Sequence, residues 1–180
     1  MTALLRAHRR LSAIMAICLA ASASAAVPSA DDVLNAAFAQ AKAEHKNVLV
    51  HFGASWCVWC KHLDAMLESP EVGGIFHDNY VIAHLTILES DDKKALENPG
   101  AEAVVERSIG KIDGVPFYMF YDDDGHRLAT SLAMPDGSNI GHPVAPEEIT
   151  AFLGLLEKTA PHMTPADRDK VAAYLSKQKH

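Results

Sequence analysis

Cysteine is scarce in this chain: 180 residues hold three. That excludes a small scaffold stapled together by disulfides, so whatever fold forms must rest on a packed core. Basic residues are also in deficit, 16 Lys and Arg against 23 Asp and Glu, for a formal charge of −7. A nucleic acid or an anionic membrane surface is therefore a poor candidate for the main partner. No apolar run reaches the ~20 residues a bilayer-spanning helix needs. Internal repeats and low-complexity linkers are lacking too. What is present is a hydrophobic content of 49%, normal for a globular core, in a length that suits one domain with short extensions.

The first residues read as a targeting segment. Arg6, Arg9 and Arg10 precede an apolar run from Leu11 to Ala21, and the small residues "ASASAA" follow. This order is the pattern of a secretory signal peptide cleaved near Ala25 or Ala26. Cys18 lies inside the apolar run, and the preceding "MAI" fits a lipoprotein site poorly. Removal of residues 1–26 takes away three arginines and no acid, so the charge becomes −10, and only Cys57 and Cys60 remain of the cysteines. The expected organisation is a signal peptide over 1–26, one domain over 27–160 and a helical extension over 161–180. The expected location is the periplasm or the exterior, with no membrane insertion after cleavage and a monomeric state.

Along the mature chain, "PSADDVLNAAFAQAKAEHKN" has helical spacing at Leu34, Phe38 and Ala41, with Ser29 or Asp31 as cap. "VLVHFGA" (48–54) reads as a central strand. A helical pattern runs from Cys57 to Pro70, with Leu63, Met66 and Leu67 on one face, and "YVIAHLTIL" (80–88) is a second strand. A polar stretch containing "NPG" leads to a helix from Ala101 to Ser108. "VPFYMFYDDDGHRLATSL" gives strand, reversal at "DDDG", strand. Pro146 opens a helix striped by Ile149, Phe152, Leu153 and Leu156, and Thr164 caps a last one to Ser176. Two strands flanking one helix should be parallel and the last two should form a hairpin. The predicted fold class is α/β, a mixed four-stranded sheet flanked by helices with a C-terminal helical extension.

Chemistry concentrates in "GASWCVWCKHL", residues 53–63. Cys57 stands where strand-like sequence gives way to helix-like sequence. A helix N-terminus favours thiolate through its unpaired N–H groups and dipole, and the thiolate is the nucleophile. Cys60, three residues on, shares its face. Cys57 is thus expected to attack a substrate disulfide and Cys60 to resolve the mixed disulfide, or the pair to donate its own disulfide. Other uses of the pair compete with this one. A copper or zinc carrier would draw on Cys57, Cys60, His51 and His84, with His62 nearby, but no second C-x-x-C or H-x-x-x-H accompanies them. Haem attachment requires C-x-x-C-H, and Lys61 occupies the fifth place. A purely structural bridge across two residues constrains little chain entropy.

"WCVWC" after a strand, with "GVP" (114–116) opening the next sheet segment, resembles the thioredoxin superfamily over roughly residues 30–158. The resemblance implies a cis proline at Pro116 facing the dithiol, with Val115 offering backbone groups to an extended substrate peptide. It also implies protein thiols or disulfides as substrates, a redox partner protein, and no cofactor or metal. The sequence departs from thioredoxin proper where a buried aspartate is usual: His51 stands there, and His84 stands where its lysine partner is usual. His51 is then either a proton relay for Cys60 or a core histidine satisfied by a backbone group. Trp56 is expected at the substrate surface, with a weaker expectation for Trp59. Val58-Trp59 between the cysteines leaves the direction of electron flow open. The segment from 89 to 110 reads as an insertion, and Asn139 to Pro143 as a loop near the dithiol, with or without a part in specificity.

Overall fold

The computed structural model describes residues 26–178. The signal-peptide expectation rests on residues 1–25, which with 179 and 180 lie outside the described residues. Among the described residues no helix is long and apolar enough to cross a membrane.

The chain forms α1 (Ala30–Glu44), β1 (Asn47–Gly53), α2 (Val58–Leu67), α3 (Gly73–Asn79), β2 (Tyr80–Thr86), a 3-10 turn (Asp91–Leu96), α4 (Ala101–Ile109), β3 (Phe117–Tyr121), β4 (Arg127–Thr130), α5 (Pro146–Thr159) and α6 (Pro165–Ser176). Local chemistry sets the boundaries. Ser29 caps α1 by accepting the Asp32 N–H at 3.1 Å. Pro146 opens α5, where the Glu148 carboxylate accepts the N–H groups of Val144 and Ala145 at 2.8 and 2.9 Å. Thr164 and Asp167 cap α6 reciprocally. The "DDDG" reversal joins β3 to β4, with Asp122 accepting the N–H groups of Asp124 and His126.

The helical expectation from Cys57 to Pro70 stops short, and a further helix, α3, follows. Its sequence, "GGIFHDN", opens on two glycines, the weakest helix formers after proline, which hides it from propensity. Gly73 is there for packing: a Cβ would lie 2.8 Å from the Leu67 carbonyl oxygen, so only glycine lets α3 follow α2 this tightly.

The sheet order is β2-β1-β3-β4, parallel between β1 and β2 and antiparallel elsewhere. Alternation along the central strand β1 builds two layers. Val48, Val50 and Phe52 face α1 and α4 with Val81, Ala83, Leu85, Phe117 and Met119. Leu49 joins Tyr118 and Phe120 on the other face, under α2, α3 and α5. His51 has the same parity as Leu49, so it faces α2. Register sets His84 of β2 on one side of it and Tyr118 of β3 on the other.

The C-terminal segment packs into this second layer. Val171 and Leu175 of α6 are buried in the same cluster as Phe152 and Leu156. Thr159 is tied to both parallel strands, accepting from Asn47 at its carbonyl (2.7 Å) and bonding the Tyr80 hydroxyl at 2.7 Å.

Candidate active site around Cys57 and Cys60

β1 ends at Gly53, the Cys57 N–H closes a turn onto the Ala54 carbonyl at 3.0 Å, and α2 begins at Val58. Cys57 is the N-cap residue, and its sulfur accepts the Cys60 N–H at 3.0 Å. It therefore occupies the spot where a helix stabilises negative charge, so a thiolate there would keep a ready-made donor. The two cysteines are joined in a disulfide with Cα atoms 5.3 Å apart. Both are buried among Ala54 and Val115.

Above the pair, the Val115 carbonyl oxygen lies 3.5 Å from the Cys57 sulfur, and the Val115–Pro116 peptide bond is cis. The connection after β4 is pinned to this segment, since the Asn139 side-chain amide donates to the Pro116 carbonyl at 2.9 Å. A groove of about 460 Å³ runs between them, lined by Trp59, Val115, Pro116, Ile140, His142 and Glu148 among others.

Large apolar side chains gather at the surface here. Trp56, Val58 and Trp59 are 52%, 60% and 42% exposed, and Leu88 is exposed beside them. The Trp56 indole N–H donates to the Leu88 carbonyl at 2.8 Å. Trp59, which the sequence favoured less than Trp56, stacks on His142 with centroids 6.1 Å apart and lines the groove beside Pro116.

Below the pair lies His51, 2% exposed. Its Nδ1 is 2.9 Å from a carboxylate oxygen of Asp64, one helical turn beyond Cys60 in α2. His84 approaches the same oxygen at 3.5 Å, with its ring 5.4 Å from that of His51. The reading of His51 as a core histidine satisfied by a backbone group does not describe this contact. Its other nitrogen, Nε2, is buried with no hydrogen-bond partner. Burial pushes the Asp64 carboxyl up, but the His51 hydrogen bond and the charges of His51 and His84 outweigh it and hold it below the ordinary aspartate value. His84, whose side chain is half exposed, is held below the ordinary histidine value, first by partial desolvation among its neighbours and then by the nearby His51, against the pull of Asp64 and Glu68. His51, Cys60, Lys61, Asp64, His84 and Glu89 border a cavity of about 370 Å³. Among the described residues, His51, Asp64 and His84 are the grouping whose donor atoms come close enough for a metal ion, within 4.8 Å. The hydrogen bond from His51 accounts for the contact with Asp64 without an ion.

The expected insertion acts as a brace. Glu89 is 4% exposed, and its carboxylate accepts both the N–H and the hydroxyl of Ser55, the latter at 2.8 Å. Glu97 in turn accepts the Glu89 N–H at 2.7 Å, and Lys94 reaches Glu97 at 2.8 Å. The loop that presents Trp56 and Cys57 thus hangs from the segment after β2. Sequence reasoning missed Asp64 and Glu89, and reached His142 only as part of the loop from Asn139 to Pro143. Asp64 carried a signal, four residues after Cys60 on a helix. Glu89 carried none, because its partner is 34 residues away.

Residues 30–123 match the family model described as Thioredoxin-like. Among solved structures, the chain is similar to the disulphide isomerase of Xylella fastidiosa Temecula1, at 17% identity, covering 80% of this chain and 86% of that one, with a TM-score of 0.46. It is also similar to a DsbH oxidoreductase, at 19% identity over 96% of each chain with a TM-score of 0.41. A third is the C-terminal domain of Neisseria meningitidis DsbD in its oxidised form, at 22% identity, 59% of this chain, 84% of that one and a TM-score of 0.41. A comparison with curated proteins gave no match. By the family match, carried on a mixed four-stranded sheet with its C-x-x-C pair at the first turn of α2, this chain belongs to the Thioredoxin-like family, and that pair is the pair of a thiol–disulfide oxidoreductase.

Proposed function

We propose that this protein is exported and exchanges electrons with protein dithiols and disulfides through Cys57 and Cys60. The observation that carries the reading is the position of the Cys57 sulfur, held by the Cys60 N–H at the α2 N-terminus and facing the Val115 carbonyl next to Pro116. In the reducing direction the Cys57 thiolate attacks one sulfur of a substrate disulfide. A Cys57–substrate bond forms, the substrate's S–S bond breaks, and its other sulfur leaves as thiolate. Cys60 then loses its proton to His51, attacks the Cys57 sulfur and releases the second substrate thiolate, leaving the Cys57–Cys60 disulfide. A partner dithiol restores the reduced pair, and the reverse sequence oxidises a substrate. Which direction runs is set by the pair's potential against its compartment, where about 30 mV corresponds to about 1.4 kcal/mol.

The apolar surface of Trp56, Val58 and Trp59 suits a protein substrate, and Val115 offers its backbone to an extended segment crossing the groove. Residues 1–26 serve as the signal for export, 27–160 as the catalytic domain and 161–180 as its extension, in a protein that works as a monomer without cofactor.

Equilibration of the mature protein with reduced and oxidised glutathione, read by tryptophan fluorescence, tests the reading. The expected result is one two-electron transition with a slope of about 30 mV per decade, lost in Cys57→Ser. A copper or zinc carrier built on the same cysteines would instead hold stoichiometric metal when reduced and show no disulfide reductase activity.

A further inference from the structure

We propose that Asp64 is a positioning residue that makes His51 the base for Cys60, so that a carboxylate, an imidazole and a thiol act in line beneath the redox pair. The inference rests on the redox reading of Cys57 and Cys60 and assigns a role that neither the motif nor the fold assigns.

The elements put the three groups together for simple reasons. Alternation on β1 turns His51 toward α2. Asp64 follows Cys60 by one helical turn, so the two side chains leave the same face of α2, Cys60 over the end of β1 and Asp64 over the His51 ring. The carboxylate can only accept a hydrogen bond, so the 2.9 Å contact places the proton of a neutral His51 on Nδ1. Nε2 is then a bare lone pair.

Nε2 points where such a base is needed. It is buried without a partner, an arrangement that costs stability and that a merely structural histidine avoids. It lies 3.3 Å from the point where a Cβ on Gly53 would sit, and the Cys60 sulfur lies 3.4 Å from the same point. The two atoms converge on the space that glycine leaves open at the end of β1. The groups facing His51 are Asp64 and Cys60 from α2 and His84 from β2, with Tyr118 its register partner on β3 and Lys61 and Glu89 on the cavity wall. Of these, Asp64 is the one in hydrogen-bond contact with the ring.

The step balances within the established chemistry. With substrate bound to Cys57, Nε2 takes the Cys60 proton and Asp64 stabilises the imidazolium through Nδ1. Cys60 forms its bond to the Cys57 sulfur as the bond from Cys57 to substrate breaks. The departing substrate thiolate takes this proton from the imidazolium, directly or relayed through water, which returns His51 to its starting tautomer. In the opposite direction the imidazolium protonates Cys60 as it leaves.

The test compares Asp64→Asn with the wild-type mature protein, both fully reduced and treated with chelator. Each is mixed with glutathione disulfide in stopped flow, read by tryptophan fluorescence from about pH 5 to pH 9. The phase that depends on disulfide concentration reports attack by Cys57, and the concentration-independent phase reports resolution by Cys60. Asp64→Asn keeps the size and an acceptor but removes the charge. Its resolution phase should slow by roughly tenfold to a hundredfold near neutral pH and converge on wild type above about pH 8.5, where the thiol ionises unaided. His51→Gln should show the same loss, the double variant should lose no more than either alone, and Asp64→Glu should recover part of the rate. An equal slowing at every pH would make Asp64 structural only, and overlapping profiles would remove its role; either overturns the proposal. A wild-type loss that zinc alone restores would also overturn it, by making the cluster a metal site. A wild type that shows neither phase would take down the redox reading itself, and this inference with it.

Discussion

A methyl group at Gly53 is the smallest change that enters the space between base and thiol. The added Cβ would sit 3.3 Å from His51 Nε2 and 3.4 Å from the Cys60 sulfur. Contacts of this kind settle near 3.5–4.0 Å, so the overlap is a few tenths of an ångström on each side. Neither neighbour yields easily, since the His51 ring is buried and bonded to Asp64 and Cys60 is in the first turn of α2. Overpacking of this size costs about 1–2 kcal/mol, toward the lower end for inserted methyl groups. Replacing glycine also narrows the unfolded ensemble, which returns about 0.4–1 kcal/mol because Gly53 is not held at positive φ. The net destabilisation of Gly53→Ala should therefore stay below about 2 kcal/mol in denaturant unfolding of the oxidised protein. The proton path is expected to suffer far more, and resolution by Cys60 should slow by roughly a hundredfold at neutral pH, the scale of a lost general base. That separation between a small loss of stability and a large loss of rate is the signature. A variant that resolves at the wild-type rate would refute the idea that His51 and Cys60 communicate across Gly53.

Glu89→Ala removes the acceptor of two hydrogen bonds to Ser55 and should destabilise the oxidised protein by about 2–4 kcal/mol, while Glu89→Gln keeps one bond and about half the loss. A change within about 0.5 kcal/mol, measured by chemical unfolding, would mean that the insertion does not brace the Cys57 loop. Acid should weaken the fold from the His84 side first. His84 and Asp64 are both held below their ordinary values of 6.5 and 3.8, so the unfolded chain binds more protons, and stability is lost as the pH falls through this range. His84→Gln should flatten the upper part of that decline, between about pH 6.5 and pH 5, in unfolding curves taken at each pH; an unchanged slope would assign the decline to other groups. Leu175→Ala in α6 should cost about 2–5 kcal/mol, because the side chain is 1% exposed inside the core it shares with α5. A loss under about 1 kcal/mol in thermal or chemical unfolding would make α6 a loosely docked appendage.

The elements legible in the sequence were those with strong local signals. α5 announces itself by proline at its first turn and by its apolar spacing, α6 by its Thr164 cap and Pro165, and β1 by a β-rich run from Val48 to Ala54 that is apolar but for His51. α3 was not legible, because its reason for existing, the close approach of Gly73 to the Leu67 carbonyl, is a tertiary contact. In the site, Cys57 and Cys60 stand out by spacing alone, and His51 through the resemblance to thioredoxin, which has a buried aspartate at that place. Its meaning was left open between relay and packing, since alternation tells which face a histidine takes but not who meets it there. Asp64 supplies that partner across two elements. Glu89 and His142 come from connections whose course no periodicity describes.

The central claim is that Cys57 opens the exchange and Cys60 closes it. The most direct test is to incubate Cys60→Ser and Cys57→Ser, each reduced, with a disulfide-bonded protein such as insulin and to map any mixed disulfide by mass spectrometry without reductant. The account predicts a stable mixed disulfide at Cys57 in Cys60→Ser and none in Cys57→Ser. Accumulation at Cys60 in Cys57→Ser, or no adduct in either variant, would contradict it.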